Sequence, residues 1–205
     1  EQEAAKEAGD GFPIVDWAYW EQVNPDVIGW ITVPGTSIDH PIVQAGEDDP
    51  TFYLKHDVYG DYNVYGCPYL DAGCAQGGLF GSRNAVVYGH HMNDGSMFAP
   101  LASFTDIAFA QKHRRVLLQT PEKKEVVMAA GVDVVPGWEA LKRTEFDGDA
   151  DFERYREERL DACDVHLDSA PMSEQHMITL CTCSYSVWAD DERTLVYAFP
   201  ESRNA

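Results

Sequence analysis

The chain of 205 residues carries 35 acidic and 15 basic side chains, a formal charge of −20, with 44% hydrophobic and 12% aromatic content. That apolar content suits one sizeable core and excludes a disordered chain, while the charge repels nucleic-acid phosphates and anionic head groups, so no nucleic-acid partner is expected. No apolar run reaches the roughly 18 residues of a membrane-spanning helix, and the polar start EQEAAKEAGDGF is unlike a signal peptide, leaving a cytosolic protein or an ectodomain trimmed of its anchor.

After that lead-in over residues 1–12, DWAYWEQVNPD sets Trp17, Trp20 and Val23 at three-residue spacing, the pattern of a short amphipathic helix that Pro25 ends. Short β-type runs separated by turn residues follow: GWITVPG, DHPIVQAG, CPYLDAG, NAVVYGH, RRVLLQT and KEVVMAAGVDVV. Between the fourth and fifth of them, SMFAPLASFTDIAFAQKH has room for a helix. A clearer helix is expected from Asp151 to Cys163, with Phe152, Tyr155, Leu160 and Cys163 on one face. HMITLCTC and RTLVYAFP read as two closing strands. No repeat or linker interrupts 13–205, so one mostly β domain, a barrel or sandwich, is expected.

Chemistry concentrates near the C-terminus. On a strand, Met177, Thr179, Cys181 and Cys183 share one face and Ile178, Leu180 and Thr182 the other, with Ile178 and Leu180 toward the core. Cys183 then stands where the strand feeds a loop. Two cysteines at i and i+2 on a strand lie about 6.5 to 7 Å apart, at the edge of disulfide geometry, so Cys181 and Cys183 are not expected to pair. A thiol becomes a nucleophile as the thiolate, which needs a base or a positive charge beside it. His90 and His91 end another β-type run, and Arg193 opens the strand after the cysteine loop. A histidine to exchange protons and an arginine to steady an oxyanion would complete an acyl-transfer set.

Plainer readings stand beside that one. A strand cysteine is often a small buried residue, and Arg193 has Asp190, Asp191 and Glu192 at hand for a solvated ion pair. Zinc would find suitable donors in Cys181, Cys183, His90 and His91, but at spacings unlike a structural knuckle, and no metal is expected. Five cysteines, an odd number, leave at least one free thiol, and Cys67 and Cys74 flank a turn-like segment whose spacing alone leaves a disulfide between them open.

YGHHMNDGSMF, then ITLCTC far downstream, then Arg193, resembles the sortase transpeptidases, whose motif is a Thr-Leu-x-Thr-Cys strand with an upstream His and a downstream Arg. NPDVIGWITVPGTSIDHPIVQ, TFYLKHD and the YLD segment resemble the class B branch, and the likeness runs from Trp17 to Phe199. It implies an eight-stranded β-barrel with an N-terminal helix and a helix between the sixth and seventh strands. It also implies residues 13–205 as one catalytic domain, behind a lead-in that followed a membrane anchor on the extracellular face of a Gram-positive cell. The family's nucleophile falls on Cys183, its histidine on His90 and its arginine on Arg193, with no cofactor. Thr182 falls near the oxyanion site, Leu54 in the substrate groove, and Cys181 and Ser184 beside bound substrate.

The substrates so implied are secreted proteins bearing an Asn-Pro-x-Thr-x or similar sorting motif, cleaved after Thr through a thioester. The acceptor is an amine of a lipid-linked peptidoglycan precursor or a pilin lysine. Cys181 stands where class B members often have serine, and Ser184 where they have an acidic residue, which bears on the motif recognised. The rival readings are a cysteine peptidase that hydrolyses the same motif and an inert β-barrel binding module. Papain-like enzymes place Cys before His in the chain, the reverse of the order here.

Overall fold

The computed structural model describes residues 9–137, 142–167, 176–184 and 191–201. Among the described residues there are nine strands: β1 (Val27–Thr32), β2 (Asp39–Gln44), β3 (Tyr69–Leu70), β4 (Asn84–Tyr88), β5 (Arg115–Gln119), β6 (Lys124–Pro136), β7 (Val165–His166), β8 (Met177–Ser184) and β9 (Glu192–Pro200). The helices are α1 (Trp17–Val23), α2 (Gly78–Gly81), α3 (Ala99–Ala102), α4 (Ile107–His113) and α5 (Asp149–Asp161). Strands neighbour one another in the order β5-β1-β2-β3-β4-β8-β9-β6, and β6 pairs again with β5, so eight strands close a barrel. Closure leaves no unpaired edge in the ring. The ninth strand, β7, adds only Gly131↔His166 and Val132↔Val165 on the flank of β6.

All eight sequence-legible strands are barrel strands. β7 was not expected, because two residues are too short to show an alternation. The long helix begins at Asp149 and ends at Asp161, two residues ahead of the expected span at each end. Gly148, at φ +84°, takes a backbone conformation that favours glycine and turns the chain into the helix just before Asp149. The Cys163 N–H then reaches only the Leu160 carbonyl, closing a tight final turn.

Strand alternation builds two apolar layers. Ile178 and Leu180 of β8, with Val196 and Ala198 of β9, point into the barrel beside Ile31, Ile42 and Leu70. Met177 and Cys181, with Leu195, Tyr197 and Phe199, point outward, where α5 covers them with Phe152 and Tyr155. Both faces of β8 are therefore buried, as expected of a strand roofed by a helix. The long strand β6 serves as the corner. Its first residues pair with β5, its remainder with β9, and the register shifts between Ala129 and Gly131. A Cβ at Gly131 would stand 2.5 Å from Cys163 Sγ, so glycine lets the end of α5 settle on the bulge.

Cys67 and Cys74 are both free and buried. They belong to separate apolar clusters, one beside Tyr53 and Tyr69 and the other inside the barrel. Among the described residues no helix is long and apolar enough to cross a membrane.

Candidate active site

β8 and β9 bring the first two candidates together. Cys183 and Arg193 are direct cross-strand partners in an antiparallel ladder, a pairing that places opposing side chains on the same face. The Arg193 guanidinium donates to the Glu192 carbonyl at 3.0 Å and lies 3.4 Å from Asp191 Oδ1. A Cβ at Gly137 would stand 3.1 Å from Arg193 Cζ, so the backbone there passes close under the guanidinium. Arg193 is half-buried, not a freely solvated loop residue.

His90 arrives from the end of β4, which pairs in parallel with β8. Two bonds tie the strand ends: Gly89 N–H donates to the Cys181 carbonyl at 3.1 Å, and the Thr182 hydroxyl donates to the Gly89 carbonyl at 2.9 Å. A Cβ on Gly89 would meet the buried Phe98 ring at 2.5 Å, so only glycine allows that ring to seat beneath the strand end. The Phe98 N–H in turn donates to the His90 carbonyl at 2.8 Å. His90 Nε2 lies 2.6 Å from the Leu54 carbonyl. A carbonyl only accepts, so Nε2 carries a proton and Nδ1 is the ring nitrogen left to take one up or release it.

Cys183, Arg193 and His90 line one cavity of about 400 Å³, together with Leu54, Cys181 and Thr182. All of the sequence-expected site residues except Ser184 converge there. Ser184 is opposite Glu192 in the β8–β9 ladder, and its side chain lies outside the described residues, as does the 185–190 loop after it. The Thr182 hydroxyl is engaged by Gly89 and ties the two strands together.

His91 goes elsewhere. Its Nδ1 lies 2.9 Å from the main-chain carbonyl of Cys183, and its side chain lines a second cavity with Thr36, Met92 and Phe109. The two adjacent histidines thus take different sides of the strand end. Among the described residues no group of three or more His, Cys, Asp or Glu side chains is placed to hold a metal ion.

Of the five thiols only Cys183 is partly exposed. Burial pushes the Cys181 thiol up to about 12, with the Arg193 charge pulling weakly the other way. At neutral pH Cys181 is therefore a neutral thiol, an apolar floor for the cavity. Sequence reasoning missed the polar far end of that cavity, formed by Tyr69, Asp71, Tyr88 and Lys142. No spacing rule joins residues drawn from β3, β4 and the segment before α5.

Residues 31–201 match the family model of the sortase domain. The chain belongs to the sortase family. Sortase B of Staphylococcus aureus is 25% identical over 178 residues, 87% of this chain and 71% of that protein. Sortase B of Listeria monocytogenes is 30% identical over 165 residues, 80% of this chain and 65% of that protein. The crystal structure of Clostridium perfringens sortase B superposes with a TM-score of 0.81 at 29% identity, covering 90% of this chain and 99% of that one. The sortase is of the class B branch, and such enzymes are cysteine transpeptidases that act in anchoring surface proteins at the Gram-positive cell surface.

Proposed function

We propose that this sortase, acting as one catalytic domain over residues 13–205, cleaves Asn-Pro-x-Thr-x or similar sorting signals after Thr and passes the acyl group to an amine. The acceptor amine belongs to a cell-wall precursor or a pilin. The observation that carries the reading is the cross-strand pairing of Cys183 with Arg193 in the cavity that His90 also lines. In it, Cys183 passes its thiol proton to His90 Nδ1, Sγ attacks the Thr carbonyl carbon and the carbonyl oxygen takes up the electron pair. The Arg193 guanidinium, with N–H donors beyond the one on the Glu192 carbonyl, steadies that oxyanion. Collapse expels the leaving amine, to which His90 gives a proton from Nδ1, and a thioester remains. The incoming amine attacks the thioester, His90 takes its extra proton, and the thiolate leaves.

His90 is preferred over His91 because His91 Nδ1 is held at the Cys183 carbonyl and its side chain borders the second cavity. Leu54 and Cys181 supply apolar walls for the motif, and Thr182 and Ser184 flank the acylated residue.

The test is mass spectrometry of the purified protein with Asn-Pro-x-Thr-x and Leu-Pro-x-Thr-x peptides, with and without an added amine, beside Cys183→Ala. Cleavage after Thr with transfer to the amine, lost in the variant, is the expected result. Equal cleavage by the variant, or cleavage at another bond, overturns the assignment.

A further inference from the structure

Exposed large hydrophobic side chains gather in one place. Tyr59, Tyr62, Val64 and Tyr65 fall within seven residues of a single loop, and Tyr62 is 72% exposed. The Trp20 ring of α1 joins that loop to the exposed Tyr19, its centroid 6.1 Å from Tyr59 and 5.2 Å from Tyr19. Single exposed apolar residues are ordinary, whereas a contiguous patch marks a place where something binds. The loop is also fixed in advance. Asp57 Oδ1 accepts from the N–H groups of Tyr59 and Asp61 at 3.0 and 3.2 Å, and Oδ2 accepts from Asn63 Nδ2 at 3.3 Å. The Asn63 N–H donates to the Lys55 carbonyl at 2.8 Å, and the Tyr65 hydroxyl donates to Asp94 Oδ2 at 2.9 Å. Tyrosines held this way present their ring faces at little ordering cost.

Charge selects the visitor. From residue 7 to residue 82 the sequence holds twelve acidic side chains and, besides histidines, one basic one, Lys55. Asp57 and Asp61 interleave with the tyrosines, Asp94 touches Tyr65, and Glu47, Asp48 and Asp49 lead into Pro50 and Thr51 at the cavity wall. Guanidinium and ammonium groups suit such a surface, pairing with its carboxylates and lying over its ring faces. A second copy of this chain, with its charge of −20, and anionic polymers are repelled. The patch also adjoins His90. Gly66, at φ +62°, ends the loop, and a Cβ there would stand 3.1 Å from His90 Cδ2 and 3.1 Å from the Leu54 carbonyl oxygen that His90 Nε2 faces. Because His90 protonates the departing amine in the proposed reaction, the chain after the scissile bond leaves the cavity on this side.

We propose that the 57–66 loop and α1 form a docking surface for the substrate segment that follows the scissile bond, and that this surface selects Lys and Arg in that segment. The proposal rests on the sortase reading above. The measurement is kcat/KM, by mass spectrometry, for peptides that share the cleaved motif and differ only in the residues after it: a Ser and Gly segment, the same segment with two Arg, or with two Asp. Wild type is expected to favour the Arg peptide over the neutral one about fivefold, chiefly through KM, and to disfavour the Asp peptide. Added salt at about 0.5 M should erase the preference.

Asp61→Lys should bring the ratio of Arg to neutral peptide down to about one, and Tyr62→Ser should lower it about twofold. Both side chains are exposed, so neither change threatens folding. Equal rates on the three peptides in wild type, or an Arg preference that survives both substitutions together, overturn the docking surface and leave the transpeptidase reading standing. A dimer seen by light scattering and lost in Tyr62→Ser would give the surface to a second copy and overturn the proposal too. Absence of any Cys183-dependent cleavage across the set sinks the sortase reading with it.

Discussion

His91 Nδ1 reaches the main-chain carbonyl of Cys183 at 2.9 Å, so the residue after the proposed acid-base histidine holds the backbone of the proposed nucleophile. His90 and His91 therefore carry separable duties. Replacing His90 with Ala should cost about 10²-fold or more in kcat/KM, the range for a general acid-base group. His91→Ala removes one hydrogen bond, worth about 0.5–1.5 kcal/mol, and should cost about two- to tenfold. Peptide-cleavage kinetics on both variants check this; the opposite ranking would exchange their roles.

Arg193→Lys should lose about 10²-fold in kcat. The guanidinium holds the Glu192 carbonyl while presenting further donors, and a single ammonium on a flexible stem does not reproduce that fork. Near-normal kcat in Arg193→Lys would reduce Arg193 to an ion-pair partner of Asp191.

Thiol counting separates a working site from an inert barrel. Cys67, Cys74, Cys163 and Cys181 are buried, and burial raises all four thiols, Cys163 and Cys181 to about 12. Native protein treated briefly with iodoacetamide at pH 8 should gain one adduct, mapped to Cys183, and denatured protein five. An adduct on Cys181 in the native protein would show that the cavity floor is open.

Glycine at position 89 is a steric requirement. Gly89→Ala drives a Cβ into the Phe98 ring and displaces the strand end that carries His90. Activity should fall about tenfold or more, with Tm lowered by several degrees, since overpacking a core costs about 1–3 kcal/mol. Gly89→Ala combined with Phe98→Leu should recover part of the activity. No recovery would mean that the glycine matters for another reason.

The acid side of the stability profile should depend on Asp151. The Asp147 N–H first, then the Arg143 guanidinium, holds its carboxyl below the usual carboxylate range. A folded-state value below the unfolded one gives a contribution present above the unfolded value and lost as pH falls through the folded one. Asp151→Asn should therefore lower Tm at pH 7 and converge with wild type as pH falls below the ordinary carboxylate range. A constant difference across that range would assign the effect to packing of α5.

The eight barrel strands, the long helix and the three residues Cys183, His90 and Arg193 were legible in the sequence, because alternation and strand-end positions are local properties of the chain. Ile178 and Leu180 facing inward, with Met177 and Cys181 outward, follows from a period of two alone. The family resemblance, carried by YGHH and ITLCTC, added the roles. What lay beyond local pattern was decided by closure of the barrel. Parallel pairing of β4 with β8 set His90 beside Cys183, sent His91 to the other side of the strand end, and brought Asp71, Tyr88 and Lys142 to one cavity. Likewise it put Cys67 and Cys74 in different clusters, which the seven-residue spacing between them could not reveal. Spacing along a chain fixes which face a side chain takes; which other strand shares that face depends on long-range pairing, whose free energy comes from burying both faces of β8 at once.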